Sequence, residues 1–527
     1  MLSTMVQSIF PFLSWIRNYN KSYFTHDILA GSTLATMIIP QAMAYAVLAC
    51  LPPERGLYSV ILCAIAHLLF GASPYSSLGP FAVTSLMYGN DLLSITKSFS
   101  DETNSNPGVG QPWEVYPILI PISAFLTFCI GISLAILVIS NLNRYLDMLL
   151  PPDLISGFTS AATISIITSQ VKYVLGLKGI PPIEGNYILA KSWFEILKVI
   201  ANSHKLTIFV ALSTFGIIYL LDYLELHYLD SSTTKKDSPK KGKVKQIPSV
   251  LISIIIMSII SFVFDFPNAG IQIVGFVQSG LPDIQNPIEI LSILPSGVVT
   301  AFLLQCVPTI GSIVLVSYVT NRSVMSMFPV VPEKKTEYNV APNSIAMQPL
   351  HSAEVHEPPN DLTGLLEVES IDKVSVLPVE TNELVALAAS TILCAIFSGF
   401  VPSGSLSRSA LLATQTNAKT PLANTISSVM ALFTVLYLTP LVYYVPLSSL
   451  GIVILLSILP ALKKIDRVVE LWRKVCVDQT NQSVESLGLW VITFLSVIIW
   501  NPSTGVLLGI ASCAIWKCVY YINLHYL

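Results

Sequence analysis

Charge is what this sequence has least of. Asp, Glu, Lys and Arg make up 11% of its 527 residues, against about 25% in soluble domains. With 53% hydrophobic residues, the chain has too little polar surface for an ordinary cytosolic enzyme. A net charge of −3 gives no basic footprint for nucleic acid. The eight cysteines lie mostly inside apolar runs (Cys63, Cys129, Cys306, Cys394, Cys513) and form no CxxC pair. No disulfide framework is expected, and no metal or cofactor. HExxH, the P-loop and G-x-S-x-G are absent as well, so the sequence does not read as an enzyme.

Present instead are long charge-free runs: 28–51, 56–90, 115–143, 154–171, 206–221, 246–264, 290–321, 384–407, 421–462 and 486–516. The last two break near Pro440/Pro446 and at Asn501-Pro502. At roughly 20 apolar residues per spanning helix, the chain reads as an all-α polytopic membrane protein of about twelve to fourteen segments, its surroundings a lipid bilayer.

Orientation follows from basic residues. Lys235, Lys236, Lys240, Lys241, Lys243 and Lys245 crowd one loop, and Lys463, Lys464, Arg467, Arg473 and Lys474 another, whereas no Lys or Arg lies between Asp265 and Glu289. Both basic loops are expected in the cytoplasm, an even number of spans apart, with 267–287 opposite. The basic stretch from Lys178 to Lys205 runs against this pattern. Residues 322–382 are rich in Pro, Glu, Ser and Asn and read as a cytoplasmic, largely disordered insertion. It divides the membrane domain into 23–321 and 383–522. Residues 1–22 read as a cytoplasmic segment with an interfacial helix near 9–16. Both termini are expected in the cytoplasm, as are the sequons at Asn20, Asn321 and Asn481, which should therefore carry no glycan. The sequence does not choose between the plasma membrane and an internal one such as the vacuole.

Two stretches do not suit full spans. In Ser73–Val83 and Phe400–Ala410, Pro, Gly and Ser interrupt apolar runs and helix formers follow. Proline at the first helical position and serine before it are helix-start signals, so both helices should begin inside the bilayer. Backbone freed at that depth must be buried in protein or line a cavity. A helix start there offers unpaired N–H groups and the positive end of a dipole, and two facing starts make an anion site. Arg408 is the only charge between Glu383 and Lys419, and an intramembrane cation is a functional signal. Beside two helix N-termini it calls for an anion. Pro40 lies 41 residues before Phe81, and Pro308 lies 100 before Arg408, or near 40 once the insertion is removed. That spacing suggests an inverted repeat with Pro40 and Pro308 as equivalent kinks.

Several motifs match a known family: Pro40-Gln41-Ala42-Met43-Ala44-Tyr45, Leu51-Pro52-Pro53 with Gly56-Leu57-Tyr58, Gly79-Pro80, Ser156-Gly157-Phe158-Thr159, Asn382-Glu383-Leu384, Gly404-Ser405-Leu406-Ser407-Arg408-Ser409 and Lys419-Thr420-Pro421-Leu422-Ala423. In this order they resemble the sulfate permease (SulP) anion transporters over nearly the whole chain. The resemblance implies fourteen segments as two inverted seven-segment repeats, with half-helices at segments three and ten and a core domain that slides against a gate domain. It implies an anion site lined by Gln41, Tyr45, Phe81, Ser405, Ser407 and Arg408. Family members usually carry a C-terminal STAS domain, which this sequence is expected to lack, and a homodimer would then do without that domain's contacts. Coupled members tend to have a carboxylate in segment eight. Here no Asp or Glu occurs between Leu291 and Pro332, which favours exchange, facilitated diffusion or a leak over proton symport through that position. His67 reads as a hydrogen-bonded packing residue, with titration near neutral pH as the alternative. The expected activity is secondary transport of a small inorganic anion, sulfate first. The alternatives are a chloride/bicarbonate or oxalate exchanger and an uncoupled anion channel.

Overall fold

The computed structural model describes residues 10–99, 112–142, 145–146, 149–178, 180, 187–231, 248–328, 378–416, 418–462, 465–478 and 481–526. Fourteen helices in chain order build the membrane domain: α1 (Lys21–Leu48), α2 (Pro53–Phe70), α3 (Ala82–Phe99), α4 (Leu119–Ile139), α5 (Pro152–Val174), α6 (Lys205–Ser231), α7 (Ser249–Val263), α8 (Val299–Met327), α9 (Val379–Ile396), α10 (Leu406–Ala410), α11 (Leu422–Tyr437), α12 (Leu447–Leu462), α13 (Asn481–Ile499) and α14 (Pro502–Tyr526). Asn20 caps α1 by accepting from the Tyr23 N–H at 2.8 Å. Proline occupies the first turn of α2, α5 and α14, where its missing N–H costs nothing.

Among the described residues, nine helices are long and apolar enough to cross a membrane, and α7, α11 and most of α13 are shorter apolar helices. Of the fourteen, only α3 and α10 meet neither description. The first carries Asn90, Asp91 and Lys97, and the second has five residues before a π-turn over Leu411–Gln415. These are the two helices that begin at mid-run.

Contacts between helix ends sort them onto two faces. On one, Asp27 of α1 accepts from the Lys419 and Thr420 N–H groups ahead of α11. There too Arg467 pairs with Asp153 of α5, and Arg322 of α8 with Glu380 of α9. The basic segments between α6 and α7 and between α12 and α13 attach to this face, six helices apart. Most of their lysines (Lys235 to Lys245, Lys463, Lys464) lie outside the described residues. On the opposite face, Tyr187 N–H donates to Ile499 O, Val274 N–H to Val445 O and Gln285 N–H to Ile396 O.

Helix pairing repeats when segment numbers shift by seven. The contacts α1–α11, α2–α11, α6–α12, α6–α7 and α1–α7 recur as α8–α4, α9–α4, α13–α5, α13–α14 and α8–α14. An odd repeat turns the second copy over, so the two halves are inverted. Helices α1–α4 and α8–α11 interlock as a core, and α5–α7 and α12–α14 form a gate beside it. Where α1 meets its neighbours the spacing is close. A β-carbon on Gly31 would lie 2.5 Å from Ala423 O, and one on Gly56 2.0 Å from Ala42 O, so only glycine lets these backbones approach.

Four expectations need adjustment. Pro40 and Pro308 do lie inside the equivalent helices α1 and α8, but Pro40 is buried and Pro308 exposed, so the kinks face different surroundings. The polar insertion is narrower than 322–382, because α8 runs on to Met327 and α9 begins at Val379. The Arg322–Glu380 pair ties those ends together. Residues 329–377 lie outside the described residues, as do 1–9. The apolar N-terminal patch yields only a short helix, Phe12–Trp15, and one 3-10 turn. The unexplained basic stretch holds an amphipathic helix, Ile188–Val199, on the face opposite the basic loops. It buries Ile196 and exposes Trp193, Phe194 and Leu197, as a helix lying in the membrane interface does.

Candidate functional site

Residues 71–81 and 397–405 enter the core as non-helical chain from opposite faces. They meet in a two-stranded antiparallel sheet, β1 (Leu78–Gly79) and β2 (Ser403–Gly404), with Leu78 opposite Gly404 and Gly79 opposite Ser403. Ser405 N–H extends the ladder to Ser77 O at 3.3 Å, and Ser409 Oγ accepts from Ser77 N–H at 3.2 Å.

Each incoming strand is pinned by the other half. Glu383 of α9 accepts from Ala72 and Ser73 N–H at 2.9 and 2.8 Å, and its second oxygen meets His67 Nε2 at 3.1 Å. Ser59 of α2 accepts from Phe400 N–H at 2.9 Å. Since α2 and α9 are repeat equivalents, each fixes the strand that follows the other. Asn424 of α11 donates to Ser76 O at 2.7 Å. His67 is thus a buried partner of Glu383, the packing role expected of it.

Arg408 is fully buried. Its Nη1 donates to Pro80 O at 2.8 Å and its Nε to Ser77 Oγ at 3.3 Å. The guanidinium of one half therefore holds the strand of the other. Its Nη2 is buried without a hydrogen-bond partner, and a β-carbon on Gly79 would sit 3.4 Å from it. No carboxylate pairs with it among the described residues. A buried cation lacking a counter-charge is expensive, and an anion nearby offsets that cost.

Helix α10 starts at Ser405, whose side chain does not cap it. The Ser405 hydroxyl lies instead 3.2 Å from that of Ser407, which leaves the first-turn N–H groups available to a ligand. The serine thus occupies the capping position expected from sequence without performing the capping. Ser405 is buried, and Ser407 is exposed although it lies in the interior of the membrane domain.

The remaining site residues flank this centre. Gln41 and Tyr45 sit on α1, which packs against α10 and its π-turn. Tyr45 and Ser457 of α12 share a 2.9 Å hydroxyl hydrogen bond. Gln41 Oε1 is buried without a partner, and a half-turn of the amide would present its NH₂ instead. A cavity of about 480 Å³ runs from Leu29, Asp222 and Ser249 near the basic face inward to Gln41, Leu411 and Ser457. Phe81 lies on the other flank. It shares an apolar pocket of about 50 Å³ with Leu406. A wider cavity of about 560 Å³, with Arg322 and Arg467 among its walls, also reaches Leu406 from the basic face. The structure thus joins Ser405, Ser407 and Arg408 at one centre, with Gln41 and Tyr45 on one side and Phe81 on the other. Among the described residues no cluster of His, Cys, Asp or Glu could hold a metal ion.

The functional residues that sequence reasoning missed are the pins. Glu383 stood inside a quoted motif with no role attached. Ser59, Ser77 and Asn424 carry no signal that separates them from other polar residues in spans.

Comparison with known proteins agrees with this architecture. The family model described as the sulfate permease family matches residues 24–480. "Sulfate transporter 4.1, chloroplastic" of Arabidopsis thaliana is 27% identical over 96% of this chain and 60% of its own length. Prestin of Danio rerio is 25% identical over 97% and 59%, and the sodium-independent sulfate anion transporter of Bos taurus 28% over 96% and 71%. The chain spans about 60% of the length of the first two of these relatives. Among solved structures, the inward-facing state of the murine Solute Carrier 26 family member A9 anion transporter superposes with a TM-score of 0.73 at 23% identity, covering 98% of this chain and 72% of that one. The transmembrane domain of the cyanobacterial bicarbonate transporter BicA gives 0.58 at 17% identity, covering 94% and 98%. A family match over most of the chain, on a fold built around two crossed half-helices, makes this protein a member of the sulfate permease family.

Proposed function

We propose that this protein is a secondary transporter of small inorganic anions, with sulfate as its first substrate. The observation that carries the reading is Arg408: a buried guanidinium with no carboxylate partner and one unbonded nitrogen, held where two helices begin. Two helix starts and a fixed cation supply positive potential without a mobile side chain. Sulfate-transporting names among the relatives support the substrate. Gln41, Tyr45, Phe81, Ser405, Ser407 and Arg408 are the residues assigned to the anion.

The basic segments place their face in the cytoplasm. Both larger cavities reach inward from that face, so the conformation is inward-facing. Transport then requires the core, with its two half-helices, to slide against the gate and open the other side, an elevator-like exchange of access.

The test is uptake of radiolabelled sulfate into proteoliposomes, wild type beside Arg408→Ala, with pH gradients or trapped chloride, bicarbonate, oxalate or sulfate imposed. Saturable uptake that Arg408→Ala abolishes supports the assignment, and the effective gradient names the coupling. Folded wild-type protein that takes up no sulfate under any gradient overturns sulfate as substrate.

A further inference from the structure

The two larger cavities described so far reach inward from the basic face. On the opposite face, a smaller cavity of about 150 Å³ separates the core (Cys50, Leu86, Asn90) from the gate (Lys172, Tyr173, Asn501, Pro502). Beside it, one hydrogen bond crosses the seam. Ser503 of α14 donates to Asp91 Oδ2 at 2.7 Å. Thr309 of α8 lies beside the same carboxylate. Asp91 and Thr309 belong to the core and Ser503 to the gate. Ser503 lies in the first turn of α14, whose dipole favours a carboxylate there.

No other charge competes for this contact. Of the helices packed against α3, α1 carries Lys21, Tyr23, His26 and Asp27 only in its first two turns, α8 carries Arg322 only near its far end, and α4 has no Asp, Glu, Lys, Arg or His. The thiols of Cys129 and Cys306 are their remaining acids besides Tyr45 and Tyr318. On α5, Lys172 lines the neighbouring cavity, where its ammonium lies 4.9 Å from the Tyr173 ring centre. Helix α14 has no charged residue before Lys517, and Lys97 of α3 lies nearly two turns beyond Asp91. Asp91 is thus an acid whose neighbours at the seam are hydroxyls. Segment eight contributes no carboxylate of its own, and it brings Thr309 to one borne by segment three.

We propose that the Asp91–Ser503 hydrogen bond is a latch holding core to gate on the side opposite the basic loops, engaged when Asp91 is ionised and loosened when it is protonated. The proposal rests on the alternating-access reading. Any movement that opens this side draws α3 away from α14 and must break the bond. Ionised, the carboxylate accepts a charge-assisted bond, about twice as strong as a neutral one. Protonated, it loses that advantage. Asp91 is a positioning residue here and does not touch the anion.

Cys50 reports the state of the seam, because it lines the cavity beside the latch. The experiment is reaction of the protein in nanodiscs with a charged maleimide, the labelling rate at Cys50 read by peptide mass spectrometry, for wild type, Ser503→Ala, Ser503→Thr and Asp91→Asn. The expected result is labelling about tenfold faster in Ser503→Ala, as for loss of one charge-assisted bond. Ser503→Thr, which keeps the donor, should label at the wild-type rate. Acidification slows labelling of Asp91→Asn through the thiolate fraction alone, and wild type should slow less, so that the ratio of wild-type to Asp91→Asn rates rises as pH falls. Equal rates in wild type and Ser503→Ala overturn the latch, and so does faster labelling in both Ser503 variants, which would trace the effect to packing. Labelling does not require turnover. A latch that responds in protein that moves no sulfate overturns the substrate and leaves the latch standing. Sulfate transport with labelling indifferent to Ser503 does the reverse.

Discussion

The two half-helices are built to one plan and differ in chemistry. Both follow an extended strand, and the strands pair with each other around a pseudo-twofold axis. On the first side the sequence is Gly79-Pro80-Phe81-Ala82-Val83, on the second Gly404-Ser405-Leu406-Ser407-Arg408. The first half supplies backbone carbonyls and an apolar flank. The second supplies the guanidinium, an exposed serine and a π-turn, a distortion frequent at functional sites. The difference teaches that the fold duplicates the frame and leaves the charge single. Two arginines on this axis would leave two cations to be neutralised at one site.

The supports differ in the same way. The first strand is held by a carboxylate that is itself paired with His67, and the second by the Ser59 hydroxyl. A buried carboxylate and a hydroxyl perform equivalent jobs at different cost of removal, and experiments can separate them.

The largest expected effect comes from making the second half resemble the first. Arg408→Ala should lower sulfate uptake by about a hundredfold, the loss of about 3 kcal/mol. Arg408→Lys should fall between, because an ammonium cannot serve Pro80 O and Ser77 Oγ with a planar fork. Equal uptake by Arg408→Lys and wild type would reduce the role of Arg408 to net charge.

Next come the two pins. Glu383→Gln should destabilise the folded protein by about 2–3 kcal/mol, because a buried carboxylate accepting from two backbone N–H groups and meeting His67 is replaced by an amide that cannot accept at both oxygens. Ser59→Ala should cost about 1 kcal/mol. Thermal unfolding in detergent reads both, and equal losses would contradict the asymmetry.

The two strand glycines are required for different reasons. A β-carbon on Gly404 would lie 3.0 Å from Asn321 Cα and 3.3 Å from its nitrogen, which is helix backbone that yields poorly. On Gly79 the nearest atom would be Arg408 Nη2 at 3.4 Å, an ordinary contact, but its φ of +157° is one that side chains rarely adopt. Gly404→Ala should cost about 1–3 kcal/mol through overpacking and Gly79→Ala about 1–3 kcal/mol through backbone strain, again by thermal unfolding. The smallest effect belongs to Phe81→Leu, which makes the two apolar flanks alike. It should leave the maximal uptake rate within about threefold, a change of about 0.65 kcal/mol, because the half-buried site keeps an apolar side chain.

Sequence alone made the broken helices legible, because Pro, Gly and Ser inside an apolar run have no other economical explanation. Arg408 was legible for a similar reason: a lone charge among 34 neighbours between Glu383 and Lys419 stands out. Asp27 and Glu383 were not legible. Each sits at the end of an apolar run, where a charge reads as the membrane boundary, and only the fold shows both fully buried and holding backbone N–H groups of the other half. The amphipathic helix Ile188–Val199 was not legible because its lysines run against the charge pattern that sets orientation, and only the fold shows them on a helix with one buried and one exposed face. The ends of the insertion were misplaced because Arg322 and Glu380 look like loop residues until they are seen to pair.

The short sheet joining the two strands has a thermodynamic consequence. Hydrogen bonds between β1 and β2, reinforced by Arg408, make the two helix starts one rigid unit, so neither can retreat from a bound ion while the other remains. The ligand set is then the same whichever side is open, and so is its intrinsic affinity. In the proposed transport cycle the ion gradients then set the direction of net flux.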